Sequence, residues 1–233
     1  MRFLFLISLI IFFSTDSYAS RLEQLYLESE LINRNSKDLY NNPSDIIIGN
    51  KDAKITVVEF FDYNCGYCER ALEDLNNLLI KNPDIKVILK EYPILNDNSY
   101  DLAKLSHSAG LQGNYFEFHG KLLRLKGKVS YDDALELAKD MGLDIKKLVD
   151  DYNSKEVNDI IANNKVLGYS LAVSGTPAYF IGDIKLDGAV GLETLEEVIS
   201  YISNDSYVKD YIVELARGGD SEAYKLMVRY SLF

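Results

Sequence analysis

Apolar residues are spread along the chain in distinct textures, and each texture predicts an element. Phe3–Phe13 (FLFLISLIIFF) is an almost unbroken apolar run. In Arg21–Arg34 (RLEQLYLESELINR), Leu22, Leu25, Tyr26, Leu27, Leu31 and Ile32 recur at mixed helical spacings. That pattern predicts a short amphipathic helix, too short to stand alone and so packed on something. Asn33–Asn50 is polar and turn-rich, with Asn41-Asn42-Pro43-Ser44 in its middle, and reads as a linker. Lys54–Phe61 (KITVVEFF) is β-branched and aromatic with hardly a polar break, the pattern of a central strand buried on both faces. Apolar positions 68, 71, 72, 75, 78, 79 and 80 then trace a helical stripe over Cys68–Ile80. Ile85–Leu89 is a second apolar run between Asn82-Pro83-Asp84 and Tyr92-Pro93, which completes a βαβ unit.

From Asp97 to Gly168 the period is helical throughout. Gly110, Gly113, Gly127 and Gly142 punctuate it, and Ser130-Tyr131-Asp132-Asp133 and Asp144 supply helix N-caps. Four or five short helices are expected there. Ala178–Ile181 and Ile184–Leu186 flank Gly182-Asp183, a Gly-first two-residue turn suited to a tight hairpin. A helix follows at Leu192–Ser203, with Glu193, Glu196 and Glu197 on its solvent face. One or two more occupy Tyr207–Phe233, broken near Gly218-Gly219-Asp220.

Composition narrows the function. A net charge of −11 over 233 residues argues against binding nucleic acid, whose affinity comes from Lys and Arg meeting phosphate. Arg2 followed by the Phe3–Phe13 run resembles a signal peptide, because the run is half of the ~20 residues that a bilayer span needs. Ser17 and Ala19 are small residues at the positions a signal peptidase reads, so cleavage is expected between Ala19 and Ser20. The alternative is an uncleaved membrane tether. Both place the folded part outside the cytoplasm, in the periplasm of a Gram-negative cell or at its surface.

The chain's only two cysteines, Cys65 and Cys68, sit in VVEFFDYNCGYCER. An exported protein can keep disulfides, but this pair would close only a tiny loop and makes a poor staple. Cys65 falls where the strand ends and the helix begins, beside free backbone N–H groups and the positive end of the helix dipole. Both favour its thiolate. Cys68, one turn further in, is positioned to resolve a mixed disulfide on Cys65. Zinc would need two more ligands, and His107 and His119 lie far off in the helical segment. No metal site is expected, and no cofactor beyond the cysteine pair itself. Glu59 interrupts the apolar strand and reads either as a half-exposed edge residue or as a buried acid that relays a proton. In VSGTPAYF (173–180), Pro177 is either a plain strand-entry proline or a cis-proline.

Strand, CxxC, helix, and a distant Gly-Thr-Pro before a hairpin and closing helix resemble the thioredoxin superfamily. The helix-filled gap between Cys65 and Pro177 is similar to the DsbA branch, and the resemblance covers about Ile47 to Ser203. It implies an α/β class: a thioredoxin fold with an inserted all-helical subdomain and short helical N- and C-terminal extensions. The expected division is a signal peptide (1–19), an N-terminal helical extension and linker (20–45), a DsbA-like domain (46–203) with its insertion at about 97–168, and a C-terminal helical tail (204–233). It further implies Cys65 as nucleophile, Cys68 as resolving thiol, Thr176-Pro177 as the cis-proline pair that docks an extended substrate, and Glu59 as the buried acid. Gly66-Tyr67 resembles the dipeptide of the isomerase types, DsbC and DsbG, rather than the Pro-His of DsbA. The implied activity is formation or isomerisation of disulfides in cysteine-containing envelope proteins, with a membrane redox partner. Residues 20–45 are a candidate for self-association, as helical extensions are in some DsbA-like proteins; the alternative is a helix folded back on its own domain. The rival function is a non-enzymatic envelope or surface protein that keeps the fold and binds a soft metal such as copper, or partner proteins.

Overall fold

The computed structural model describes residues 15–204 and 206–232. The expected signal-peptide core, Phe3–Phe13, lies outside them. At the centre of the fold, strand β2 (Ile55–Phe61) pairs in parallel with β3 (Ile85–Glu91), in the register Val57↔Val87 and Glu59↔Leu89. Helix α3 (Gly66–Lys81) makes the crossover between them. Its buried residues Cys68, Ala71, Leu72, Leu75 and Leu78 form most of the stripe that the sequence pattern predicts, while Leu79 is half-buried and Ile80, at the end of the helix, is exposed. On the other side of β2 runs antiparallel β4 (Ala178–Ile181), which turns through Gly182-Asp183 into β5 (Ile184–Asp187). Gly182 has φ +60, and a Cβ there would meet Ile202 Cδ1 at 2.7 Å, so both backbone and packing ask for glycine.

Part of the expected linker is ordered structure. Ser36–Tyr40 forms a short helix, α2, with Leu39 buried, following the N-terminal helix α1 (Thr15–Arg34). Ile46–Gly49 is strand β1, antiparallel to β3 at the sheet edge, which completes the order β1-β3-β2-β4-β5. Only three apolar residues mark this strand, and pairing with β3 decides it rather than local pattern. The segment is pinned further by Lys90, fully buried on β3, whose ammonium reaches Asp45 Oδ1 at 2.5 Å and the Asp38 carbonyl at 2.9 Å.

Alternation along β2 builds two cores. Val57 and Phe61 pack with α3, with the helices inserted after β3 and with α9 (Leu192–Ile202); Val58 and Phe60 pack with Ile32, Leu39, Leu167 and Leu171 on the opposite face. The insertion comprises α4 (Asp97–Gly110), α5 (Tyr115–Leu123), α6 (Tyr131–Asp140), α7 (Ile145–Tyr152) and α8 (Lys155–Ser170). Ser130 and Asp133 make a capping box at the start of α6, and Asp144 caps α7.

The two terminal extensions pack on each other. Helix α1 buries Leu22 and Tyr26 in a cluster with Val208, Tyr211 and Ile212 of α10 (Val208–Arg217) and Leu226 of α11 (Ser221–Arg229). Tyr18 donates to Asp220 at 2.9 Å, while Arg229 and Tyr230 both reach Glu23 Oε1 at 2.7 Å. Leu22, Tyr26 and Ile32 of α1 thus lie on its own chain, while Leu27 is half exposed. The described part of this helix includes Thr15–Ala19, ahead of the expected cleavage point.

Candidate active site

Cys65 is the N-cap of α3, with extended backbone at φ −98 and ψ 109. Its carbonyl already accepts from the N–H groups of Cys68 and Glu69, at 3.0 and 3.2 Å. Its sulfur is left among the unsatisfied N–H groups of the first helical turn. Opposite stands the Thr176-Pro177 peptide bond, which is cis, and Cys65 Sγ donates to the Thr176 carbonyl at 3.1 Å. The cysteine pair and the Gly-Thr-Pro segment, 111 positions apart, therefore meet in one site. The Thr176 hydroxyl is buried in the same site.

The two sulfurs are not equivalent. Cys65 is 7% exposed and Cys68 1%. A hydrogen bond with the Cys68 thiol is the main reason the Cys65 thiol falls to about 6. Burial opposes that fall, and Thr176 and the N–H groups of Cys68 and Tyr67 assist it. Cys68 is pushed the other way, far above the usual thiol range, first by burial and then by its hydrogen bond to Cys65 and the nearby charge of Glu59. A stable thiolate beside a thiol that cannot ionise unaided is the division of labour that thiol–disulfide exchange uses.

Glu59 is 2% exposed on the central strand, so it is no half-exposed edge residue. Because Val57 and Phe61 face α3, alternation turns Glu59 to the same face, under the cysteines. Burial, and secondarily the charge of Cys65, raise its carboxyl to about 8; a hydrogen bond with Tyr179 draws it part of the way back.

Gly66 and Tyr67 form the outer rim. A Cβ on Gly66 would meet nothing, and the Tyr67 ring is 61% exposed with the Arg70 guanidinium 4.1 Å above it. Arg70 also donates to the Gly66 carbonyl at 3.2 Å.

Three supporting residues escape a reading of the sequence. Asp62 is buried and accepts from the Asn64 N–H (2.8 Å), the Ser99 hydroxyl (2.7 Å), and the Ile94 and Leu95 N–H groups (2.8 and 2.9 Å). Asn64 accepts from the Val129 N–H at 3.2 Å. Together they fasten the turn before Cys65 to the helical insertion. Tyr179 is the third. The one available signal is a polar pair in FFDYNC at a strand end, which also suits an ordinary turn. His107 stands 3.6 Å from Glu91, and His119 is buried with Nδ1 3.0 Å from the Tyr63 hydroxyl. Among the described residues, no three His, Cys, Asp or Glu side chains gather into a metal-binding group.

The family profile described as DsbA-like thioredoxin domain matches residues 56–200. A thioredoxin-like oxidoreductase from Silicibacter pomeroyi superposes with a TM-score of 0.70 at 33% identity, over 72% of this chain and 97% of that one. The thiol-disulfide exchange protein alpha-DsbA2 from Wolbachia pipientis gives 0.72 at 27% identity, over 77% and 98%. The Na(+)/H(+) antiporter NhaA 1 of Salinispora arenicola is 29% identical over 159 residues, which are 67% of this chain and 24% of the antiporter. The chain thus spans about a quarter of the length of the first curated relatives it matches. With the CxxC helix, the facing cis-proline and a profile match over most of the fold, the chain belongs to the DsbA-like thioredoxin domain family, among whose members are thiol-disulfide exchange proteins.

Proposed function

We propose that this chain is an exported oxidoreductase that forms or isomerises disulfide bonds in cysteine-containing envelope proteins, in exchange with a membrane redox partner. The asymmetry of the two sulfurs carries the reading: Cys65 is lowered to about 6 at a helix start, and Cys68 is buried and raised. In the oxidising direction a substrate thiolate attacks Cys65 of the Cys65–Cys68 disulfide, and a second substrate thiol then displaces Cys65. In the isomerising direction the Cys65 thiolate attacks a substrate disulfide, and Cys68 releases the product. Glu59 serves as proton acceptor for Cys68. Once Cys65 is tied up in a mixed disulfide its charge is gone, and with it one of the causes holding Glu59 in the acid form. The base is therefore readied at the step that needs it.

The Thr176-Pro177 segment beside Cys65 offers backbone to an extended substrate. Two assays test the reading: oxidation of a dithiol peptide and reactivation of a protein with scrambled disulfides, each with Cys65→Ser as control. Turnover by wild type and none by the variant is expected, and the ratio of the two rates assigns the direction. If wild type turns over neither substrate, the proposal fails.

A further inference from the structure

Tyr179 lies two residues beyond Pro177 and directly across the β2–β4 ladder from Glu59. Residues so paired project to the same face, with Cβ atoms ~5 Å apart. This face is the one covered by α3, where Tyr179 packs in one cluster with Val57, Phe61, Cys65 and Cys68. Tyr179 is 1% exposed, among the largest fully buried side chains of the protein. A phenol so far from water needs a polar neighbour. The other cross-strand neighbour of Glu59 is Leu89, which can donate nothing. Of the two residues flanking Glu59 in the sheet, only Tyr179 can hydrogen-bond to the carboxylate.

We propose that Tyr179 is a positioning residue for the resolving step: its hydroxyl donates to the Glu59 carboxylate that forms there and keeps that side chain turned toward Cys68. The proposal deepens the exchange reading above and rests on it. In the mixed disulfide, Cys65 Sγ is bonded to the substrate sulfur. The Cys68 thiol passes its proton to the Glu59 carboxylate, and the thiolate electron pair forms the Cys65–Cys68 bond. The Cys65–substrate bond breaks with its pair leaving on the substrate sulfur, which takes a proton from water, while Glu59 returns its own proton to solvent. The substrate sulfur is reduced and the cysteine pair oxidised, so no further oxidant or reductant enters. Tyr179 keeps its proton throughout, because burial and the charge of Glu59 hold it far above the ordinary phenol range.

The titratable groups that bear on Glu59 are Cys65 and Tyr63 from the end of β2 and the turn after it, Cys68 from α3, and Tyr179 from β4. Asp74 of α3 bears on Tyr179. A donor to a carboxylate favours its ionised form, so removing the hydroxyl moves Glu59 further up from about 8.

Dithiobis-nitrobenzoate separates the steps on the reduced full chain. Attack by Cys65 releases one coloured thiolate, and resolution by Cys68 releases the second. Stopped-flow absorbance across the pH range should show Tyr179→Phe shifting the midpoint of the second release upward by about one to two units, with the first release unchanged. Glu59→Gln should slow the second release, and adding Tyr179→Phe to it should change nothing more. A second-release profile that coincides with wild type in Tyr179→Phe overturns the proposal, as does a shift that persists in the Glu59→Gln background. If Glu59→Gln resolves as fast as wild type, the role given to Glu59 falls as well, which tells the two failures apart. One measurement needs no variant. In the wild-type protein the ring-carbon NMR signal of Tyr179 should titrate with the midpoint of Glu59, and a signal indifferent to that titration overturns the proposal.

Discussion

Asp62→Asn exchanges one carboxylate oxygen for an amide nitrogen in a place where both oxygens are in use. Oδ1 accepts from the Asn64 N–H and the Ser99 hydroxyl, and Oδ2 from the Ile94 and Leu95 N–H groups. An amide nitrogen turned toward Ile94 and Leu95 orphans two backbone donors. Turned the other way it orphans one, since the Ser99 hydroxyl can rotate and accept instead. The side chain takes the second orientation, losing a charge-assisted bond and leaving the Asn64 N–H facing another donor. With about 1–3 kcal/mol for each buried donor left unpaired and a similar loss for a bond to charge, roughly 2–4 kcal/mol of stability should go. That is a large share of the ~5–15 kcal/mol that holds a typical domain together. Asp62→Ala removes both oxygens and should lose more. Ser99→Ala leaves the carboxylate three of its partners and should lose ~1 kcal/mol. Urea unfolding of the reduced protein measures all three, with a lowered midpoint and an unchanged slope as the expected result. If Asp62→Asn unfolds within about 0.5 kcal/mol of wild type, water is satisfying those groups, and Asp62 is not what ties the cysteine turn to the insertion.

Alkylation of reduced Cys65 by iodoacetamide should follow a midpoint near 6, with the rate falling below it as the thiolate takes up a proton. Cys68→Ala removes the largest cause of that low value and should move the midpoint up toward the ordinary thiol range; an unchanged midpoint would show that the backbone and Thr176 suffice. Leu22, fully buried where α1 meets the C-terminal helices, should cost about 2–5 kcal/mol on truncation to alanine, read by thermal or urea melting. A loss under ~1 kcal/mol would mean that α1 is not seated on α10 and α11.

Much of this protein is written locally. The βαβ unit, the five inserted helices, the Gly182-Asp183 hairpin and the break before α11 follow from hydrophobic period, caps and turn residues, which act over a few positions. The contrast of Cys65 and Cys68 was legible too, because a helix N-terminus sets the first sulfur of a CxxC beside free N–H groups and its first turn buries the second more deeply. Strand β1 was not, since a short apolar segment becomes a strand only when β3 offers it a ladder. Nor could spacing say whether Glu59 faces water: that depended on β2 lying at the centre of the sheet with α3 over one face. Asp62, Asn64 and Tyr179 gain their importance from partners 30 or more residues away, at Ile94, Leu95, Ser99, Val129 and Glu59. Period and propensity describe how a residue sits on its own element, whereas a buried polar group is defined by what the rest of the chain brings to it. The sequence by itself determined most of the elements and the place of the cysteine pair, and tertiary structure alone decided which polar side chains surround that pair, because only folding removes the water they would otherwise face.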